Sequence, residues 1–128
     1  VERIGWPLMD GIPHGVRAPD YDDWAINGDL IYYHPELDCA LEISSMGVRV
    51  DASSMFKQLN FAGARDRMDL PFHRAVMEDR LPLTIGGGIG QSRLCMLLLR
   101  KAHIGEVQCS VWPEGAPENL KEQGIELL

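Results

Sequence analysis

Cysteine is scarce: Cys39, Cys95 and Cys109 are an odd number with no Cys-x-x-Cys spacing. That argues against a disulfide scaffold and a zinc ribbon, and it fits a reducing cytoplasm. Positive charge is scarce as well, with 12 Lys and Arg against 19 Asp and Glu, a net charge of -7 and a sequence pI near 4.9. Such a chain has no general attraction for a phosphate backbone or an anionic bilayer, so delocalised nucleic-acid or membrane binding is not expected. Mean hydropathy is -0.12 and no apolar run is long enough to span a bilayer. The chain opens at Val1 without an initiator Met, signal peptide or transit sequence, from which a fragment of a longer polypeptide is expected.

What remains is the composition of one ordinary globular domain, 128 residues with 45% apolar and 24% charged residues. Residues 1–21 are punctuated by Trp6-Pro7, Asp10-Gly11-Ile12-Pro13, His14-Gly15 and Ala18-Pro19-Asp20, which leaves room for no more than a short strand or two. Asn27-Gly28 reads as a turn pair, followed by strands over Asp29–Tyr33 and Cys39–Ser44 that residues 34–38 join as a hairpin. Ser45-Met46-Gly47 predicts a bend or bulge in the second strand, where Gly47 tolerates torsions or approaches that other residues resist.

Asp51 predicts the cap of a helix over about residues 52–61, with Met55, Phe56, Leu59 and Ala62 at helical spacing and Gly63 as the stop. A second helix is predicted to start near Leu70-Pro71, to turn Phe72, Val76 and Met77 inward, and to end before Leu81-Pro82. Residues 83–90 read as a glycine-rich strand, and residues 92–100 as a helix apolar on most sides, which implies burial. Val107–Trp112 predicts a last strand, and residues 113–128 a tail that is only partly ordered.

Gly86-Gly87-Gly88-Ile89-Gly90-Gln91-Ser92-Arg93 is the most informative run. Glycine weakens a strand by roughly 0.5–1 kcal/mol per residue relative to alanine, so four glycines in five positions call for compensation, such as close approach of a flat ligand. Arg93 in the first turn of a helix gains nothing from the helix dipole, unless an anion such as phosphate is held between it and the helix terminus. The plain alternative is a glycine-rich bulge with Arg93 solvated. Neither a Walker loop nor a dinucleotide fingerprint is present.

A second cluster is Glu42, Ser44, Ser45 and Arg49 on one strand, with Asp29 on its partner. Carboxylates with a hydroxyl suit magnesium completed by substrate phosphates; alternatively these are solvated strand residues and surface ion pairs. A third is Asp20-Tyr21-Asp22-Asp23-Trp24, which is either an exposed acidic turn or a site for an ammonium among Asp22, Asp23 and the face of Trp24. His14, His34, His73 and His103 lie at no ligand spacing and read as surface or packing residues. No serine sits in a nucleophile elbow.

Taken in order, Arg17–Trp24, Asn27-Gly28-Asp29, Glu42–Asp51 and Thr84–Leu94 closely resemble the asparagine synthetase A family, the ammonia-dependent aspartate ligases, with the likeness extending to Trp112. The resemblance implies an α+β fold, the antiparallel sheet flanked by helices of class II aminoacyl-tRNA synthetases. Residues 1–128 would be the C-terminal portion of one such catalytic domain, with Gly86–Arg93 as its third signature motif. Arg93 is then expected to pack on adenine and reach the terminal phosphate of a bent ATP, with Gly87, Gly88 and Gly90 admitting the nucleotide. Asp29, Glu42, Ile43 and Ser45 look like nucleotide contacts, Asp29 and Glu42 also as Mg2+ ligands, and Asp22, Ser45 and Arg49 as contacts of the amino-acid substrate.

The activity implied is amidation of L-aspartate with ammonia through a β-aspartyl adenylate; because the acidic cluster has no other evident task in an anion-handling site, Asp22 or a nearby carboxylate is expected to bind ammonium and accept its proton. A cytoplasmic homodimer built through the upstream half is implied too, and without that half this segment is expected to be inactive. The familiar pattern carries a longer loop where this chain has only Ala25 and Ile26 between Trp24 and Asn27, either deleted or missing. Two other readings stay open, a fragment of an aspartyl- or asparaginyl-tRNA synthetase and a non-catalytic nucleotide- or asparagine-binding paralogue. Ser92 stands where the tRNA synthetases usually place an acidic residue.

Overall fold

The computed structural model describes residues 1–128. Three strands form one sheet in the order β1 (Asp22–His34), β2 (Cys39–Arg49) and β3 (Ile85–Ile89). β1 and β2 are the predicted hairpin. β3 runs antiparallel to β2, since Arg49 N–H donates to Thr84 O at 2.9 Å at one end and Gly90 N–H donates to Ile43 O at 2.8 Å at the other. The helices are α1 (Ala52–Phe61), α2 (Pro71–Met77), α3 (Gln91–Leu99) and α4 (Ala116–Glu122). This is the expected α+β class. Contacts gather the chain into two compact units, residues 1–29 with 45–88 and residues 30–44 with 89–128.

The first unit holds the main core, Val50, Met55, Leu59, Ala64 and Val76, with Met68 and Met77 packed against it. Asp51 caps α1 as predicted: its carboxylate accepts from Ser54 N–H at 2.7 Å, and Ser54 Oγ accepts from Asp51 N–H at 3.0 Å, a reciprocal box that satisfies two otherwise orphaned donors. Gly63, at φ 66°, takes the left-handed step that ends the helix. α2 begins at Pro71 as predicted, but Phe72 points outward with 50% exposure while His73, Ala75 and Val76 are buried. His73 and Val76 lie three apart on one helical stripe, and Phe72 is a step of about 100° off it.

The Asn27-Gly28 turn does not exist. Both residues lie inside β1, which starts seven residues earlier than predicted. Asn27 is buried because its amide pairs with Ile4 in both directions, accepting from Ile4 N–H at 2.7 Å and donating to Ile4 O at 2.7 Å. A turn-forming residue type is used here to dock the N-terminal segment, which also bridges Gly28 through Glu2. Trp24 completes that docking edge-on against Trp6 and Phe61, at centroid separations of 5.0 and 6.0 Å. β2 continues through Ser45-Met46-Gly47 to Arg49. Gly47 permits the close approach expected of it: a Cβ there would lie 2.7 Å from Asp22 Cγ.

In the second unit, α3 forms where predicted but is not engulfed. Met96 alone is buried, and Leu98 and Leu99 are 70% and 63% exposed. The residues of this unit cover one stripe of a helix that is apolar on most sides. The predicted strand over Val107–Trp112 is absent. Trp112 instead packs on His103, centroids 5.0 Å apart, and over Gly105, where a Cβ would meet its ring at 2.8 Å. The tail contains α4. α4 has Glu118 in its first turn and Lys121 in its last, matching the helix dipole at both ends. The apolar end then anchors on the turn at Ile104–Glu106, with Leu128 N–H donating to Gly105 O at 2.8 Å.

Candidate functional site

In the first unit, the acidic triplet next to Trp24 is distributed rather than convergent. Strand alternation puts Asp22 and Trp24 on the inner face, both buried, and leaves Asp23 half-buried on the other. Asp23 accepts from Ala25 N–H at 2.8 Å. Trp24 is 3% exposed, so its face is committed to packing and offers no platform for an ammonium. Asp22 faces Arg49 of β2 and accepts a hydrogen bond from Arg49 Nη1. Arg49 Nη2 donates to Tyr21 Oη at 2.9 Å, and the guanidinium lies 3.9 Å from the Tyr21 ring centroid. Asp22, Arg49 and Tyr21 thus form one charged, partly exposed group, of which the sequence reasoning had found two members.

β3 explains why that group needs glycine. A Cβ at Gly86 would lie 2.4 Å from Arg49 Nη2, so the guanidinium occupies the space of a side chain. At Gly87 it would lie 2.9 Å from Met46 Cβ and 3.1 Å from Ser45 O, so this glycine serves close packing of β3 on β2. At Gly88 nothing lies within 4 Å. Of the three glycines predicted to admit a ligand, Gly88 is the one with open space at its side-chain position. Gly86 had no separate role in the sequence reading; the density of the run was the available signal. Ser45 is half-buried on β2.

Asp29 lies on β1 and its carboxylate accepts from Arg17 Nη2, a partner that sequence spacing did not disclose. Asp20 is held by His73, with Nε2 at 2.9 Å, and by Arg67, whose Nη1 donates at 3.1 Å. Burial pushes the Asp20 carboxyl up, but the hydrogen bonds from His73 and Arg67 and the Arg67 charge outweigh it and leave the pKa lowered. A lowered carboxyl stabilises the fold above its unfolded pKa and loses that contribution as pH falls through the folded value. Asp20→Asn should therefore cost about 2 kcal/mol at neutral pH, the range for hydrogen bonds to a charged group. In urea titrations the deficit should shrink toward pH ~2. A deficit that stays constant across that range would contradict the assignment.

In the second unit, Arg93 occupies the first turn of α3, as predicted. Its Nη1 donates to Glu42 O at 3.0 Å and lies 3.8 Å from the Glu42 carboxylate, with both side chains about half exposed. A cation near a helix N-terminus, held through a carbonyl and one loose pair, keeps guanidinium donors available to an added anion. Gly90 carries the flank of that side chain, its Cβ position 3.4 Å from Arg93 Cδ, and its N–H is tied to the buried Ile43. Ser92 Oγ donates to Gln108 Oε1 at 2.6 Å. No three His, Cys, Asp or Glu side chains are grouped to hold a metal ion, and no helix is long and apolar enough to cross a membrane.

A family model described as aspartate–ammonia ligase matches residues 1–124. Proteins named aspartate–ammonia ligase are similar over the same stretch. One from Lactobacillus delbrueckii subsp. bulgaricus is 57% identical over 129 residues, covering 100% of this chain and 38% of the relative. One from Ligilactobacillus salivarius is 55% identical over 128 residues, with the same coverage. One from Clostridium perfringens is 56% identical over 125 residues, 98% of this chain and 37% of the relative. The chain spans about two-fifths of the length of these relatives.

Matches of 129 and 128 residues against a chain of 128 leave no space for a long loop between Trp24 and Asn27, and β1 passes straight through Ala25 and Ile26. The loop taken to be deleted or missing is absent from these relatives too. Their shared name favours the ligase over the tRNA-synthetase alternative. Matched over nearly its whole length by that family model, the chain belongs to the aspartate–ammonia ligase family.

Proposed function

We propose that the protein to which this chain belongs converts L-aspartate, ammonia and ATP into L-asparagine, AMP and pyrophosphate in the cytoplasm. Residues 1–128 are then the C-terminal portion of a catalytic domain with the class II aminoacyl-tRNA synthetase core. The three-stranded antiparallel sheet with its helices is consistent with that core. On this reading the remaining class II motifs, including the groups that grip the α-phosphate, and the homodimer interface lie in a part of the full-length protein outside this chain.

The observation that carries the proposal is Arg93, half-exposed on the first turn of α3 with donors to spare. It contacts adenine and the terminal phosphate of ATP. Gly87, Gly88, Gly90 and Ile43 are the backbone this reading assigns to the nucleotide, supported at Gly88 by the open space at its side-chain position. Asp29, Glu42 and Ser45 face the nucleotide with oxygen donors. The donor set suits Mg2+, which takes one or two protein carboxylates and completes its shell with phosphate and water. Glu42, half-exposed, or Asp29 would hold it, and when bound it would neutralise charge on the phosphates.

The aspartate side-chain carboxylate attacks the α-phosphorus, pyrophosphate departs, and a β-aspartyl adenylate remains. Ammonia then attacks the acyl carbon and AMP leaves. Arg93 stabilises charge building on the departing pyrophosphate. Arg49 and Ser45 bind the amino-acid substrate, and Asp22, which faces Arg49, takes the proton that ammonium must lose before it attacks.

The test is whether the full-length protein forms asparagine and AMP from aspartate, ATP and ammonium without tRNA, and whether it exchanges pyrophosphate into ATP only when aspartate is present. Binding of ATP or asparagine without either reaction would identify a non-catalytic paralogue instead.

A further inference from the structure

The second unit ties α3 down at both ends, and only the N-terminal end has been accounted for. At the other end Arg100 follows the last helical residue in the left-handed conformation, at φ 57° and ψ 49°. That conformation is a glycine position by preference, because a Cβ crowds the following carbonyl. Helix closure does not need the side chain: the N–H groups of Arg100 and Lys101 already return to Leu97 O at 3.4 Å and Met96 O at 2.8 Å.

The arginine side chain does something else. Its Nε donates to Glu36 Oε1 in the turn between β1 and β2, across 64 positions of sequence. Arg100 is mostly exposed, but the Glu36 side chain is only 18% exposed, and its second oxygen is buried with no hydrogen-bond partner. The nearest group to that oxygen is Nδ1 of His34, at 3.5 Å. His34 closes β1 and is 0% exposed, with neither ring nitrogen hydrogen-bonded. The Arg100 hydrogen bond also holds the Glu36 carboxyl below its ordinary pKa, so the pair stays ionised.

α3 is therefore pinned to one hairpin at two places, through Gly90 and Arg93 on Ile43 and Glu42, and through Arg100 on Glu36. Nine helical residues form a stiff rod about 13 Å long, so two pins fix its roll as well as its place. A guanidinium some 7 Å from a helix axis moves about 1 Å for a roll of roughly 10°, a displacement that can cost on the order of 10²-fold where alignment with a reacting group matters. We propose that Glu36 and Arg100, backed by His34, are positioning residues that set the roll of α3 and with it the aim of Arg93. The inference rests on the assignment of Arg93 to ATP given above.

Variants of the full-length protein test it through aspartate-dependent ATP–pyrophosphate exchange, alongside Tm. Arg100→Gly relieves the left-handed backbone, so Tm should hold or rise, yet kcat/KM for ATP should fall about 10-fold with KM for aspartate unchanged. Glu36→Gln should give the same split, and the double variant should be no worse than either single one, because both remove one interaction. Arg100→Lys, which keeps charge and backbone conformation, should recover part of the loss. Wild-type ATP kinetics in Arg100→Gly, together with a large loss in Arg93→Ala, would overturn the positioning role and leave the ATP assignment standing. An equal fall for both substrates with a lowered Tm would overturn it too, as plain loosening of the unit. No effect in Arg93→Ala would remove the ATP assignment itself.

Discussion

Replacing Arg93 with Ala in the full-length protein should cut aspartate-dependent ATP–pyrophosphate exchange by about 10²–10³-fold, the loss typical when one preorganised donor to developing charge is removed. The fold should scarcely notice. The side chain is half-exposed, its pair with Glu42 spans 3.8 Å, and its one good hydrogen bond goes to a carbonyl that water can also reach. Exposed pairs of this kind are worth about 0–1 kcal/mol, so Tm should move by a few degrees at most. A large catalytic loss without a large stability loss separates a group that acts on ligand from one that holds the protein together. Arg93→Lys should recover only part of the activity, because an ammonium keeps the charge without the planar surface proposed to lie on adenine or the paired donors proposed to meet phosphate.

The second large effect should come from Asp22→Asn, and it should fall on the other half of the reaction. Asparagine formation at limiting ammonium should drop by about 10²-fold or more, the usual weight of a positioned general base. Pyrophosphate exchange, which needs no ammonia, should stay within a few-fold. The replacement is nearly isosteric, and this matters because Asp22 is buried and lies under Gly47, where a Cβ would already be 2.7 Å from its carboxyl carbon. Arg49 keeps its contact with Tyr21 in the variant. Lost exchange with normal ammonia use would reassign Asp22 to orienting Arg49 for the amino-acid substrate.

The features legible in the sequence were those whose cause is local. Asp51 and Ser54 satisfy each other within one turn, Gly63 takes a left-handed step that its own lack of a side chain permits, and Arg93 follows the strand-to-helix junction at a fixed count. The glycine run announced close approach, though not which neighbour makes it. Gly86 leaves room for a guanidinium and Gly87 for a neighbouring strand, whereas no neighbour crowds the side-chain position of Gly88.

What escaped has its cause far along the chain. Asn27-Gly28 has the composition of a turn and is a strand because Asn27 answers both backbone groups of Ile4, 23 positions away. The three carboxylates near Trp24 looked like one site because spacing hides direction; alternation and distant partners send Asp20 to His73 and Arg67, and Asp22 to Arg49. The polar tail gave no sign that its last residue returns to Gly105. α3 reads as a buried helix and has only Met96 buried. The resemblance to the aspartate ligases was legible because it lay in the order of several motifs, none decisive alone.

The most direct test of the whole account is a crystal structure of the full-length protein with a non-hydrolysable ATP analogue. The account predicts adenine lying over Gly88 with the Arg93 guanidinium stacked on it and reaching the terminal phosphate. Nucleotide bound elsewhere, with Arg93 turned to solvent and the space above Gly88 filled by protein side chains, would contradict it.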